Sequence, residues 1–496
     1  MLKLNNDIII LILQELKNDR NLYSCLLVNK FLCELVVPIL WRDPWKYLCS
    51  RDIKKEQKRR TSLFKIVLLH LPDSSKDLLI SNGINIIPNQ QRKLFFDYIR
   101  YCKYICCFND FYNQFELTTN SQKEILEQEI IKVFISRCTI NCLNSAISNH
   151  PIYTFPGANI CLSKVKEFQC ISTSSSSFFY GLAEICKSIE KISISLLLHK
   201  SNPGISHLIK AQKKIKYLSV TVDDNDYNDY EMRQNDENEN EKVNGMNTQH
   251  ERIFWALKKH AHSILYFVLW IDNSFPFSLF QELRNLQTLI LINDFRINQK
   301  AFEKQLSMAL FPNLQALELS YISLSMVTNI IENTSGNLWK IKLENTIEFD
   351  NPTKYMQSIC KHCSNIEYVS IFVNNQNMDK LKDFLMGCQQ LEGIDIHINL
   401  ARNEKFLCNK FFDILVRSAP TSLYKIKINK GNFTTKSLEL FFNNWKNRKS
   451  LHLYPLIFWK DLIFDLFERY EVEGIAQGYM DHRFWCTDSH EEIEWR

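Results

Sequence analysis

The chain has 496 residues, 45% of them hydrophobic and 23% charged, with a formal net charge of +5. That length and apolar content support two to four domains with large cores, and so small a charge excess argues against a nucleic-acid binder. Only 11 Gly and 12 Pro exclude a fibrous or disordered chain and leave little for a glycine-cradled phosphate site.

The first 48 residues are apolar and helical in pattern. They contain LNNDIIILILQEL and then DRNLYSCLLVNKFLCELVVPILW. The run Ile8 to Leu13 follows a single basic residue, Lys3, and is closed by Gln14, Glu15 and Lys17 without a small-residue cleavage site, unlike a secretory signal. No run of 18 apolar residues occurs, so no membrane span is expected. The 16 Cys are scattered, which fits reduced, mostly buried thiols in a cytoplasmic or nuclear protein.

RDIKKEQKRR, Arg51 to Arg60, holds six basic and two acidic residues. It reads as a solvated linker or helix face, with a nuclear-localisation patch as the alternative. Residues 49–160 are expected to be a helical linker and N-terminal cap. Within them KLFFDYIRYCKYI has helical apolar spacing. KEILEQEIIKVFISRC has it too, with Ser121 as an expected N-cap and Glu124 as its capping-box partner.

From residue 161 to 455 one pattern recurs: apolar, two residues, apolar, one residue, apolar. It starts at Val165, Ile189, Ile215, Ile264, Leu286, Leu314, Leu338, Ile366, Leu391 and Leu423, in steps of 24, 26, 49, 22, 28, 24, 28, 25 and 32. The alternation predicts a short strand. Helical segments follow Ser325, Thr353, Asp379 and Ser437, each a capping-type residue. A strand and helix this short cannot bury their own apolar faces, so stacked neighbours must. The expected class is an α/β solenoid. The long step of 49 contains Asp223 to Lys242, with nine acidic and two basic residues, in an expected disordered insertion over 223–250. Residues 456–496 are expected to cap the last repeat or to fold over the sheet.

Cys186, Cys363 and Cys388 each lie three residues before a strand's first apolar position. This sequence resembles leucine-rich repeats of the cysteine-containing subclass, which implies a horseshoe with a parallel concave sheet. Asp294, Ile322 and Thr346 stand where the later Asn or Cys of that repeat would be expected.

The N-terminal stretch, read with this array, resembles the F-box motif. Its positions match at Leu4, Asp7, Ile8, Ile9, Leu13, Leu16, Leu22, Cys25, Leu26, Val28, Phe31 and Trp41. Asn5 stands where the family has Pro. VPILWRDPW is also similar to a segment of large fungal F-box families with repeat-rich C-termini. The resemblance implies a substrate-recognition subunit of an SCF ubiquitin ligase. Residues 1–48 would then dock on a Skp-type adaptor, and through it on cullin and a RING protein. An unidentified protein substrate would bind the repeats. A plain repeat scaffold, its N-terminal helices merely a cap, is the alternative; a cap would bury the apolar face of residues 7–31.

No P-loop, G-x-S-x-G, G-x-G-x-x-G or HExxH motif is present. CKHC, Cys360 to Cys363, has zinc spacing but no second pair, and HAH, His260 to His262, reads as a solvated helix end. No enzymatic activity, metal or cofactor is expected. The expected working surface is the strand face opposite the core: Val268, Ile290, Glu318, Lys342, Ser370, Asp395 and Lys427, with Phe372 and His397 one pleat further along.

Overall fold

The computed structural model describes residues 5–16, 19–47, 53–86, 94–105, 119–196, 202–222, 252–271, 277–293, 299–344, 346, 350–400, 406–429, 433–446, 448–455 and 464–477. The acidic insertion 223–250, Leu4, Asp294, Cys106, Cys107 and the tail beyond 477 lie outside them. Among the described residues no helix is long and apolar enough to cross a membrane. The chain divides into two compact units, residues 1–260 and 261–496.

The first unit opens with three helices: α1 (Asn6–Glu15), α2 (Asp19–Leu26) and α3 (Lys30–Leu40). Asn5 caps α1, its side chain accepting from the Asp7 N–H at 3.4 Å with φ −63°. That φ is one proline would adopt, and Asn is a preferred N-cap, so the helix start does not depend on the missing Pro. Asn29 caps α3 through a 2.8 Å bond from the Leu32 N–H. Leu13, Leu22, Val36 and Leu40 form the core shared by these helices.

Residues 98–105 do not form the helix their apolar spacing predicts. A 3-10 turn, Tyr98–Tyr101, gives way to extended chain, and Tyr104 bridges Cys142 in parallel. Lateral bonds win here: the Lys103 N–H donates to the Arg42 carbonyl, and the Asn141 and Cys142 N–H groups donate to the Lys103 carbonyl. A helix would forfeit all three. In helix Asn120–Arg137 the cap is Thr119, accepting from the Gln122 N–H at 3.2 Å, so Ser121 and Glu124 fall inside the helix instead of forming a capping box.

Strands β1 (Cys142–Asn144), β2 (Glu167–Ile171), β3 (Lys191–Leu196) and β4 (Tyr217–Val222) pair in parallel and in chain order. The second unit does the same with β5 (Tyr266–Ile271), β6 (Thr288–Asn293), β7 (Ala316–Ser320), β8 (Lys340–Glu344), β9 (Tyr368–Val373), β10 (Gly393–Ile398), β11 (Lys425–Asn429), β12 (Leu451–Pro455) and β13 (Ala476–Gln477). Every predicted motif start lies two residues before one of these strands, from Val165 before β2 to Leu423 before β11, and every one is buried. Strands extend beyond the predicted array at both ends: β1 lies in the stretch read as helical, and β13 in the tail.

Cys186, Cys363 and Cys388 are buried and end their helices, as the repeat position requires. The N-caps stand two or three residues earlier than the predicted ones: Ser323, Asn351, Asn377 and Thr434 in place of Ser325, Thr353, Asp379 and Ser437. His260 is not a solvated helix end; it is buried, with Nε2 2.9 Å from the Ile209 carbonyl.

Gln212 occupies the same repeat position as these cysteines, three residues before Ile215, and is fully buried. Its Oε1 accepts from the Ile189 N–H at 3.0 Å, and its Nε2 donates to the Cys186 and Leu208 carbonyls, each at 2.8 Å. A side-chain amide thus satisfies three backbone groups that have no place in a ladder. Gln212→Leu leaves them buried and unpaired, and should destabilise the first unit by about 2–4 kcal/mol in urea unfolding at constant m.

Candidate functional site

Two surfaces hold the residues singled out from the sequence. The first is the N-terminal helical module. Leu13 and Leu22 are buried in its core, so they hold α1, α2 and α3 together and are closed to a partner. Ile9, Leu16, Cys25, Leu26 and Trp41 are partly buried around that core. Asp7, Ile8, Val28 and Phe31 are exposed. The exposed apolar set also includes Leu11 at 62%, Ile12 at 50%, Tyr23 at 47% and Leu27 at 89%, none of which the motif singles out. Helical spacing carries the distinction: 8, 11 and 12 share one face of α1, whereas 9, 13 and 16 share the inner one.

The inner end of the module is fixed to the rest of its unit. The Trp41 ring lies 4.7 Å from that of Tyr98, and the Trp45 indole N–H donates to the Tyr104 carbonyl at 2.9 Å. Trp41 is therefore an anchor to the unit's interior, not part of an outward patch. Tyr98 in turn meets the edge of the buried His70 ring at 6.1 Å. His70 Nδ1 lies 3.3 Å from Arg137 and 3.6 Å from the Asp97 carboxylate. Burial lowers the His70 pKa below its ordinary value, with Asp97 opposing and Arg137 reinforcing.

The second surface is the open face of the β5–β11 sheet. Register aligns the predicted residues: Val268 opposite Ile290, Ile290 opposite Glu318, Glu318 opposite Lys342, Ser370 opposite Asp395 and Asp395 opposite Lys427. His397 stands opposite Phe372, and their rings stack at 4.9 Å. Ser370 and Phe372 are buried, contrary to expectation. The Ser370 hydroxyl accepts from the Leu343 N–H at 3.0 Å, and the His397 ring stacks on Phe372. Glu318 and Asp395 are also nearly covered, because each is enclosed by its own ion pairs. Lys340 and Lys342 sit 2.7 Å and 3.9 Å from Glu318; Lys427 and His397 sit 3.1 Å and 3.5 Å from Asp395.

Sequence reasoning missed the flanking rows. Trp270 pairs in register with Ile292, and with Val268 and Ile290 they make a half-buried apolar quartet on β5 and β6. The Tyr368 hydroxyl donates to Glu392 at 3.0 Å, and burial, Tyr424 and Glu392 push its pKa up. Extending the period-2 alternation by two residues on each side finds these positions. β8 and β9 pair only over Lys340–Tyr368 and Ile341–Val369. Beside that short ladder a shallow cleft of about 290 Å³, counting solvent at its mouth, is lined by Lys340, Lys342, Tyr368, Ser370, Gly393 and Asp395. Among the described residues no three His, Cys, Asp or Glu side chains converge as a metal site.

Parallel strands in chain order, joined through helices and repeating an apolar triad, define an α/β solenoid of leucine-rich-repeat character. No family model matches the chain, and no curated protein matches it. Among solved structures it is similar to the leucine-rich repeat-containing protein LegL7 from Legionella pneumophila, at 12% identity and a TM-score of 0.28 over 63% of this chain and 93% of that one. With so low a score, the class rests on strand order and repeat spacing.

A lowered His70 pKa has a definite sign in stability. Burial disfavours the protonated ring in the folded chain, and the unfolded ring binds a proton more readily, so the stabilisation present above about pH 6.5 is lost as pH falls below it. Between about pH 7.5 and about pH 5.5 the melting temperature should fall, and His70→Gln should flatten that fall in scanning calorimetry. His260, also lowered by burial, accounts for part of the remainder.

Proposed function

We propose that this chain is the substrate-recognition subunit of an SCF-type ubiquitin ligase. Its N-terminal helices dock on a Skp-type adaptor, and through it on cullin and a RING protein, while the open sheet face holds a protein substrate. The chain itself performs no step of the ubiquitin transfer. Its place is the cytoplasm or the nucleus.

One observation carries the docking half of this reading. The module fills its own core with Leu13, Leu22, Val36 and Leu40, yet leaves Ile8, Leu11, Ile12, Leu27, Val28 and Phe31 exposed. A helical cap has no reason to keep so many large apolar side chains in water, whereas a partner helix packed on them would bury them. The substrate half rests on the coarser conclusion, a repeat fold that presents an open face of mixed apolar and charged rows. The attachment through Trp41 and Trp45 favours a second reading, a non-ligase scaffold whose helices close the edge of the first sheet.

The test is capture of the full chain by a purified Skp-type adaptor. Each exposed anchor, once buried, contributes about 1.5–3 kcal/mol. Ile8→Asp with Phe31→Asp should therefore weaken capture at least about 100-fold with the circular dichroism spectrum unchanged. Leu22→Asp is a poor probe, since it charges the module's own core. Absence of capture by the unmodified chain leaves the scaffold reading.

A further inference from the structure

Cys360 and Cys388 belong to successive repeats of the second unit. Cys360 lies in the last turn of helix Pro352–His362 and is exposed; Cys388 ends helix Met378–Gly387 and is buried. Their Sγ atoms are 3.9 Å apart. Gly387 makes that approach possible, since a Cβ there would stand 3.1 Å from Cys360 Sγ. Cys363, the other thiol of CKHC, is buried and ends its own helix, so the zinc-like spacing separates one structural thiol from one accessible thiol.

The two sulfurs differ in chemistry. The hydrogen bond with Cys388 holds the Cys360 thiol below its ordinary pKa, against burial and the Asp383 carboxylate. The same bond, with burial, pushes Cys388 far up. Burial pushes Cys161, Cys186 and Cys363 up to about 12, which leaves them inert at neutral pH. An exposed, more acidic thiol beside a second, shielded one is the arrangement that oxidation chemistry selects.

We propose that Cys360 and Cys388 are a hydroperoxide-reactive dithiol that closes to a disulfide between neighbouring repeats. The Cys360 thiolate attacks the terminal peroxide oxygen: the S–O bond forms, the O–O bond breaks, and the alkoxide or hydroxide leaves and takes a proton from solvent water. The Cys388 sulfur then attacks the sulfenic acid. The S–S bond forms, the S–O bond breaks, and the departing hydroxide takes the Cys388 proton as water. Two thiols are oxidised and one hydroperoxide is reduced. The sulfurs must close by roughly 2 Å to reach bonding distance. The bond would staple together the helices that precede β9 and β10, the strands that line the cleft.

The experiment treats the folded full chain with one equivalent of hydrogen peroxide, alkylates remaining thiols, and maps the digest by mass. A Cys360–Cys388 crosslinked peptide is expected as the dominant product, reversed by dithiothreitol and accompanied by a higher melting temperature. Cys388→Ser should trap Cys360 as a sulfenic acid labelled by dimedone. Cys360→Ser should leave Cys388 reduced. Gly387→Ala, which suits a helix end, should keep the fold and lose most of the crosslink. A pair that stays reduced, or a Cys360 sulfenic acid that persists with Cys388 present, overturns the proposal.

Discussion

Everything in this molecule depends on lateral burial. A strand of five or six residues backed by one short helix exposes apolar side chains at three fixed positions, and only the next repeat can cover them. Leu314, Leu317 and Leu319 of one repeat and Leu338, Ile341 and Leu343 of the next are all buried in this way. Covering them demands a constant parallel register, because a one-residue slip would turn each strand's apolar set outward. The constraint commits one strand face to the core and leaves the alternate face free. It also fixes where variation is tolerated.

The position that ends each helix shows that tolerance. It must be small or able to satisfy backbone groups, because it sits where one repeat's carbonyls meet the next repeat's entering strand. Cys186 does this with its thiol, which lies 3.3 Å from the Leu162 carbonyl, whereas Gln212 does it with an amide. Cys388 faces the Cys360 thiol of the preceding repeat. One structural role thus admits residues with very different chemistry, and that is how a reactive pair can arise without disturbing the stack.

The strand positions were legible in the sequence because three buried apolar residues in six leave little freedom. The short edge strands were not, since Cys142–Asn144 and Ala476–Gln477 carry too few residues to display the motif. The stretch around Tyr98 misled because its apolar spacing of three suits both a helix and a 3-10 turn, and only the pairing of Lys103 and Tyr104 decides. In the N-terminal module, motif matching identified apolar positions without dividing inner from outer ones. Leu13 and Ile8 both match, yet one is core and the other exposed. On the sheet, alternation identified the open face but not its coverage: Ser370 points there and is still buried by the hydrogen bond it makes to the neighbouring strand.

That coverage shapes what the open face can recognise. Its charges are already spent on one another, Lys340 and Lys342 on Glu318, and Lys427 on Asp395. Such pairs give a partner little net attraction, because each new contact must replace an existing one. They penalise any partner that covers Glu318 or Asp395 without supplying a matching cation, since the carboxylate would be left desolvated and unpaired. Attraction must then come from the half-buried apolar quartet of Val268, Trp270, Ile290 and Ile292 and from the rim of the cleft at Tyr368. Under the proposed reading the face would divide its labour along the sheet: apolar rows on β5 and β6 would supply affinity, and the paired charges from β7 to β11 would exclude ligands whose polar groups do not align.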